Sequence, residues 1–239
     1  MFGELINTYS INELFSFNLN PRFSMSGNGN IYSIGTSFNW KLNPRIQIIP
    51  EANIALNNSE INKNSQYLKS FIKNDERKIF AFILGGPTKY YDYSTKNIKR
   101  IFNVLYSLNK KENFQLVVIP SMRTPKNTIE YAKEYFGENH TVIDKVDKQA
   151  YLSALALSEF IIVTCDSSSM ISEAALTGKP VYVANILPRK NDKRFQKFRN
   201  LYRELNIIRN LGEPHEKWSY QKLDETNRVA KIIKEKIGL

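Results

Sequence analysis

The chain has 239 residues, enough for one large domain or two small ones, with an ordinary apolar content and a formal net charge of +11. A single cysteine, Cys165, excludes an intramolecular disulfide and suits a reducing compartment, while two histidines, His140 and His215, without His-x-x-x-His or Cys-x-x-Cys spacing offer no metal site. No 18-residue apolar run is present to cross a bilayer as a helix and the N-terminus lacks a basic-then-apolar leader, so a cytoplasmic protein is expected, in contact with the inner membrane at most peripherally.

Residues 1–62 read as an antiparallel β-meander. Phe15, Phe17, Leu19, Pro21, Phe23 and Met25 alternate with polar residues, as do Tyr32, Ile34, Thr36, Phe38, Trp40 and Leu42, and then Ile46 to Leu56. That alternation serves either a fragment of a transmembrane barrel or a half-buried soluble sheet, and three strands cannot close a barrel. Asparagine supplies 14 of the first 74 residues but 12 of the other 165, which marks a boundary, and residues 63–77 are expected as a linker.

From residue 78 to 239 the pattern is α/β. Ile79 to Leu84 is a buried strand ending in Gly85-Gly86-Pro87-Thr88, and Ser94 starts a helix with Ile98, Ile101, Phe102, Leu105 and Leu108 on one face. Paired glycines let a backbone approach a ligand, although a plain turn uses them equally. Phe114 to Ile119 is the second strand, with Arg123 just past its end, where a guanidinium can grip phosphate in bidentate fashion. A helix over 126–136 stops at Gly137, a short strand follows at 141–143, and Asp147 opens a helix to Leu157.

The stretch Ser158 to Ala184 then runs strand, polar elbow, helix, glycine, strand. The elbow is Asp166 with Ser167, Ser168 and Ser169, and the first turn of a helix leaves amides unpartnered at the positive end of its dipole, so a phosphate fits there. One serine suffices as an N-cap, and three exceed that need. Glu173, one turn on, can accept from both hydroxyls of a ribose or can be a solvated helix residue.

Beyond the elbow the charge is concentrated: Arg189, Lys190, Lys193, Arg194, Lys197, Arg199, Arg203 and Arg209 face only Asp192 and Glu204. Such a run is a solvated helix face or a contact for anionic lipid, and Phe195, Phe198 and Tyr202 form its buried stripe rather than stacking platforms, so no nucleic acid is expected. Asp224 caps a last helix with Val229, Ile232, Ile233 and Ile237 inward.

The run Asp166 to Tyr182, together with Leu84-Gly-Gly-Pro-Thr88, Ser121-Met-Arg-Thr-Pro125, Trp218-Ser-Tyr220 and Leu223 to Ala230, resembles the family named after the mitochondrial-fission Elm protein, whose bacterial members are regarded as glycosyltransferases. The resemblance implies the C-terminal, Rossmann-like lobe of a two-lobed GT-B fold, a nucleotide-sugar donor and no metal cofactor. By resemblance the serine elbow and Arg123 take the diphosphate, Glu173 takes the ribose, and Gly85 and Gly86 line the cleft, with Thr88, Ser121, Thr124, Asp166 and Met170 around them. The sequence departs from the family in two places: position 122 is Met where a second arginine is usual, and residues 1–74 do not read as an N-terminal lobe. The acceptor, a cell-envelope glycan being one class, and the catalytic base stay unassigned. The alternative implied by plant relatives is a non-catalytic adaptor that acts at a membrane surface.

Overall fold

A computed structural model describes residues 61–214, 216–222 and 235 in full and, ahead of them, the backbone of six strands and one helical turn. The chain divides into two compact units, residues 1–56 and 57–239.

In the first unit, β1 (Phe2–Glu4), β2 (Asn7–Asn12), β3 (Phe15–Ser26), β4 (Gly29–Asn43), β5 (Ile46–Ile48) and β6 (Glu51–Ala52) form one antiparallel sheet. Its spine is the β3–β4 hairpin, in register from Phe15 opposite Trp40 to Ser26 opposite Gly29. The register sets Phe17 opposite Phe38 and Phe23 opposite Tyr32, so the two alternating patterns match. Of the third expected strand, over 46–56, Ile46–Ile48 form β5 and Glu51–Ala52 form β6 while the rest lies outside the described residues, and β1 and β2 are additional.

The second unit begins with α1 (Asn58–Lys63) and a 3-10 turn (Tyr67–Ser70). Residues expected as a linker are built into this unit: Leu68 is buried, its N–H donates to Ser153 Oγ at 3.0 Å, and the Tyr67 hydroxyl donates to Asp147 at 2.7 Å. The Gln115 side-chain amide clasps Lys73 from both sides, accepting its N–H at 2.7 Å and donating to its carbonyl at 3.0 Å.

There follow β7 (Ile79–Leu84), α2 (Thr95–Glu112), β8 (Gln115–Pro120), α3 (Lys126–Phe136), β9 (Thr141–Val142), α4 (Lys148–Leu157), β10 (Phe160–Thr164), α5 (Ser168–Ala175), β11 (Val181–Ala184), α6 (Lys193–Glu204) and β12 (Ile208–Asn210). The six strands form one wholly parallel sheet in the order β12-β11-β10-β7-β8-β9. Counted from β7 this is the doubly wound order 3-2-1-4-5-6, the expected Rossmann-like sheet, with its direction of winding reversing between β7 and β10. β12 was not expected; it has three residues and only Ile208 is buried, too short a signal for a pattern. The last helix expected after Asp224 lies outside the described residues.

Strands buried on both faces explain the unbroken apolar runs: all of β8, β10 and β11 is buried. Phe80 stacks on Phe114 with ring centroids 3.9 Å apart, and Phe102 of α2 meets Tyr131 and Phe136 of α3. Each such side chain contributes about 1.5–3 kcal/mol of burial. The result is a rigid platform whose strand ends, at Leu84, Pro120 and Thr164, all point one way.

Candidate functional site

The carboxyl ends of β7 and β10 meet at a buried carboxylate. Asp166 is sealed from solvent at its side chain and accepts from the Gly86 N–H at 3.1 Å, the Tyr93 hydroxyl at 2.6 Å and Arg123 Nη2 at 2.9 Å. Tyr93 has one proton and a carboxylate can only accept, so that proton goes to Asp166 while the Tyr93 oxygen shares a bond with Thr164 Oγ1 at 2.8 Å. Thr164 Oγ1 in turn accepts the Gly85 N–H at 2.8 Å. Burial, then Asp166, raises the Tyr93 phenol well above its ordinary pKa.

The paired glycines serve this junction. A Cβ on Gly85 would stand 2.3 Å from an Asp166 carboxylate oxygen, and one on Gly86 would stand 2.1 Å from the Arg123 carbonyl oxygen. The close approach they permit is therefore between three loops of the protein itself. Thr124 belongs to the same junction: it is buried, and its hydroxyl lies 2.7–2.8 Å from the carbonyls of Leu84 and Gly85 and from the Ser121 N–H. Thr88 closes a local turn by accepting the N–H groups of Tyr90 and Tyr91.

The elbow divides its labour. Ser167 is the N-cap of α5, accepting the Met170 N–H at 3.4 Å. The first intrahelical bond is Ile171 N–H to Ser167 O at 3.3 Å, so the amides of Ser168 and Ser169 lie ahead of the ladder. Ser168 is half-buried and Ser169 exposed. Ser169 and Glu173 are four residues apart and so share a face of the helix.

Glu173 lines a cavity of about 220 Å³. Its other lining residues are Ile83, Pro120 and Ser121 at and past the strand ends, Val146, Asp147, Lys148 and Tyr151 at the start of α4, and Met170 of α5. Arg123 keeps 42% of its side chain exposed, and one guanidinium nitrogen on Asp166 leaves its other donors for solvent or a ligand. A larger open hollow of about 1090 Å³ runs along the flank of α2 to residues 211–214, but it holds no candidate residue. Open parallel sheets collect ligands outside their strand carboxyl ends, which makes the smaller cavity the candidate site.

Of the twelve expected ligand residues, Gly85, Gly86, Thr88, Thr124, Asp166 and Ser167 therefore make internal bonds or close internal approaches. Ser121, Met170 and Glu173 line the cavity, Ser168 and Ser169 lie at the helix start, and Arg123 is bonded to Asp166 with part of its side chain exposed. Sequence reasoning missed Tyr93, Val146 and Tyr151. The Asp147 cap, which places Tyr151 one turn into α4, was the available signal for the last.

Among the described residues no group of three His, Cys, Asp or Glu converges to hold a metal, and no helix is long and apolar enough to cross a membrane. Of the eight basic residues between 189 and 209, four are paired internally: Arg189 with Asp92, Arg199 with Asp192, Arg203 with Glu213 and Arg209 with Glu216. Lys190, Lys193, Arg194 and Lys197 are exposed along one side of α6 and its approach.

Comparison with known proteins gives a family and two relatives. The family model described as mitochondrial fission ELM1 matches residues 46–237. An uncharacterised protein of Rickettsia prowazekii, RP120, is 32% identical over 185 residues, covering 73% of this chain and 49% of that protein. The mitochondrial fission protein ELM1 of Arabidopsis thaliana is 31% identical over 123 residues, covering 49% of this chain and 28% of that protein. The chain thus spans half or less of the length of either relative. Among solved structures, the UDP-GlcNAc 2-epimerase of Neisseria meningitidis, bound to UDP-GlcNAc, is similar at 19% identity and a TM-score of 0.41, over 62% of this chain and 34% of that one. The UDP-GlcNAc 2-epimerase of Methanocaldococcus jannaschii is similar at 14% identity and a TM-score of 0.41, over 72% and 49%.

Proposed function

The chain belongs to the mitochondrial fission ELM1 family, and from that premise we propose that its α/β unit is the donor-binding lobe of a metal-independent glycosyltransferase of the GT-B type, holding a nucleoside diphosphate sugar. The observation that carries the reading is the pairing, on one face of α5, of the exposed Ser169 amide end with Glu173 one turn further on beside a cavity. One helical turn advances about 5.4 Å. That step suits a ligand with phosphate at one end and a vicinal diol next to it.

In this reading the diphosphate sits on the Ser168 and Ser169 amides, with the free edge of Arg123 beside it, and the helix dipole with these donors stabilises the departing diphosphate. The Glu173 carboxylate accepts from the ribose hydroxyls and the base enters the cavity between Ile83, Pro120 and Val146. At about 220 Å³ that space is below the roughly 300–1,000 Å³ of sites that enclose a whole drug-sized ligand. It therefore suits the nucleoside end, with the sugar outside. The general base that deprotonates the acceptor is not among the residues assigned to this lobe.

The test is thermal. A nucleoside diphosphate at one hundred times its dissociation constant adds about 2.7 kcal/mol to the native state, which raises the melting temperature of a protein this size by about 5–10 °C. Glu173→Ala is expected to weaken that binding by about 1–3 kcal/mol through loss of charge-assisted bonds. If no nucleoside diphosphate or sugar conjugate moves the wild-type transition, the donor-binding reading fails.

A second reading, contact with an anionic bilayer as an adaptor or peripheral enzyme, is favoured by the exposed Lys190, Lys193, Arg194 and Lys197. These four make no ion pair among the described residues, whereas the other four cations of the run do.

A further inference from the structure

The nucleotide reading leaves open how a glutamate, whose side chain turns about three bonds, comes to face the ligand. Among the described residues, one hydrogen bond holds the Glu173 carboxylate. The Tyr151 hydroxyl, from α4, donates to Glu173 Oε2 at 2.5 Å. Among the described residues nothing donates to Oε1, the oxygen left for a guest. Both side chains line the same cavity.

Tyr151 itself is carried on a helix fixed at both ends. At the start of α4, Asp147 accepts the Ala150 N–H at 3.0 Å and the Tyr67 hydroxyl at 2.7 Å. Midway, Ser153 Oγ accepts the Leu68 N–H at 3.0 Å. At its end the Lys179 amine donates to the carbonyls of Leu155 and Ala156 at 2.8 and 2.5 Å. Burial, then the Glu173 charge, raises the phenol pKa far above neutrality, so the hydroxyl keeps its proton and remains a donor.

We infer that Tyr151 is a positioning residue: its hydroxyl fixes one oxygen of the Glu173 carboxylate so that the other is presented to the cavity, and this fixes a preference for ribonucleotides over 2′-deoxyribonucleotides. The inference rests on the nucleotide reading above and adds to it a residue and a selectivity. A carboxylate already oriented loses less freedom when a diol binds, and a ligand lacking the 2′-hydroxyl gains less from that orientation.

The experiment is calorimetry of the full chain with UDP and ADP, each beside its 2′-deoxy form, for wild type, Tyr151→Phe, Glu173→Ala and the double variant. Wild type is expected to prefer the ribose form of whichever base it binds by about tenfold or more. Tyr151→Phe is expected to lose about fivefold to tenfold in ribonucleotide affinity with little change for the deoxy form. In the Glu173→Ala background the same change is expected to do nothing further. A tyrosine that merely supports the fold would weaken both forms alike and would act equally in both backgrounds, and that result overturns the inference. Retention of full ribose preference by Tyr151→Phe also overturns it while leaving the nucleotide reading intact. Absence of wild-type binding to these four and to the guanosine, cytidine and thymidine diphosphates overturns both.

Discussion

Replacing Asp166 by Ala tests whether the junction between the three loops is a structural latch. The carboxylate has no exposed surface and takes three donors, from Gly86, Tyr93 and Arg123. Without it the Gly86 N–H and the Tyr93 hydroxyl are left buried, and each stranded donor costs about 1–3 kcal/mol. Tyr93 keeps Thr164 as a neighbour at 2.8 Å, which places its share at the low end of that range. Arg123 is 42% exposed and recovers water, so its pairing adds little. The sum is about 2–4 kcal/mol, a large part of the roughly 5–15 kcal/mol that holds a protein folded. Urea denaturation followed by far-ultraviolet dichroism should show the midpoint falling with an unchanged slope. A loss below about 1 kcal/mol would refute the argument, because it would mean that water or another acceptor replaces the carboxylate at no cost. Asp166→Asn keeps the shape but turns an N–H₂ group toward one donor, and should fall between Ala and wild type.

Two further outcomes are expected. His140 is half-buried and its Nδ1 accepts the Leu116 N–H at 3.1 Å; burial, then Arg77 and Lys73, lowers its pKa to about 4 from 6.5. The unfolded chain therefore takes up the proton first, so this contribution is complete above about pH 6.5 and is lost as the pH falls toward 4. Urea midpoints at pH 7.0 and pH 4.5 should differ less for His140→Asn, which keeps an acceptor that does not titrate, than for wild type; an equal difference would remove His140 as a cause. The second concerns α6: four exposed cations that make no ion pair among the described residues, at about 1 kcal/mol each, predict strong sedimentation with phosphatidylserine vesicles and little with phosphatidylcholine. Glu at Lys193, Arg194 and Lys197 together should abolish it, and equal binding to both vesicles would end the bilayer reading.

The sheet was legible because its strands are buried on both faces. Ile79 to Leu84 and Phe160 to Val163 cannot be placed on a surface, and Asp147 supplies the cap that its helix needs. β12 was not legible, since three residues with one buried side chain carry no period. In the site, residue type was a poorer guide than in the core. A glycine that admits a ligand and one that admits a neighbouring loop look alike, and Gly85 and Gly86 prove to face Asp166 and the Arg123 backbone. The Asp166 carboxylate reads as a ligand group until Gly86, Tyr93 and Arg123, 80, 73 and 43 residues away, are seen to converge on it. Likewise Tyr151 and Glu173 lie 22 residues apart on different helices, and only the crossover of the chain through β10 brings them together.

The grip of Gln115 on Lys73 has an evolutionary corollary. A side-chain amide that offers both an acceptor and a donor imitates a peptide unit, and so the parallel sheet ties down the backbone of its own leading segment. A recombination junction placed ahead of residue 57 would sever none of these ties, so the same nucleus could be inherited behind quite different heads.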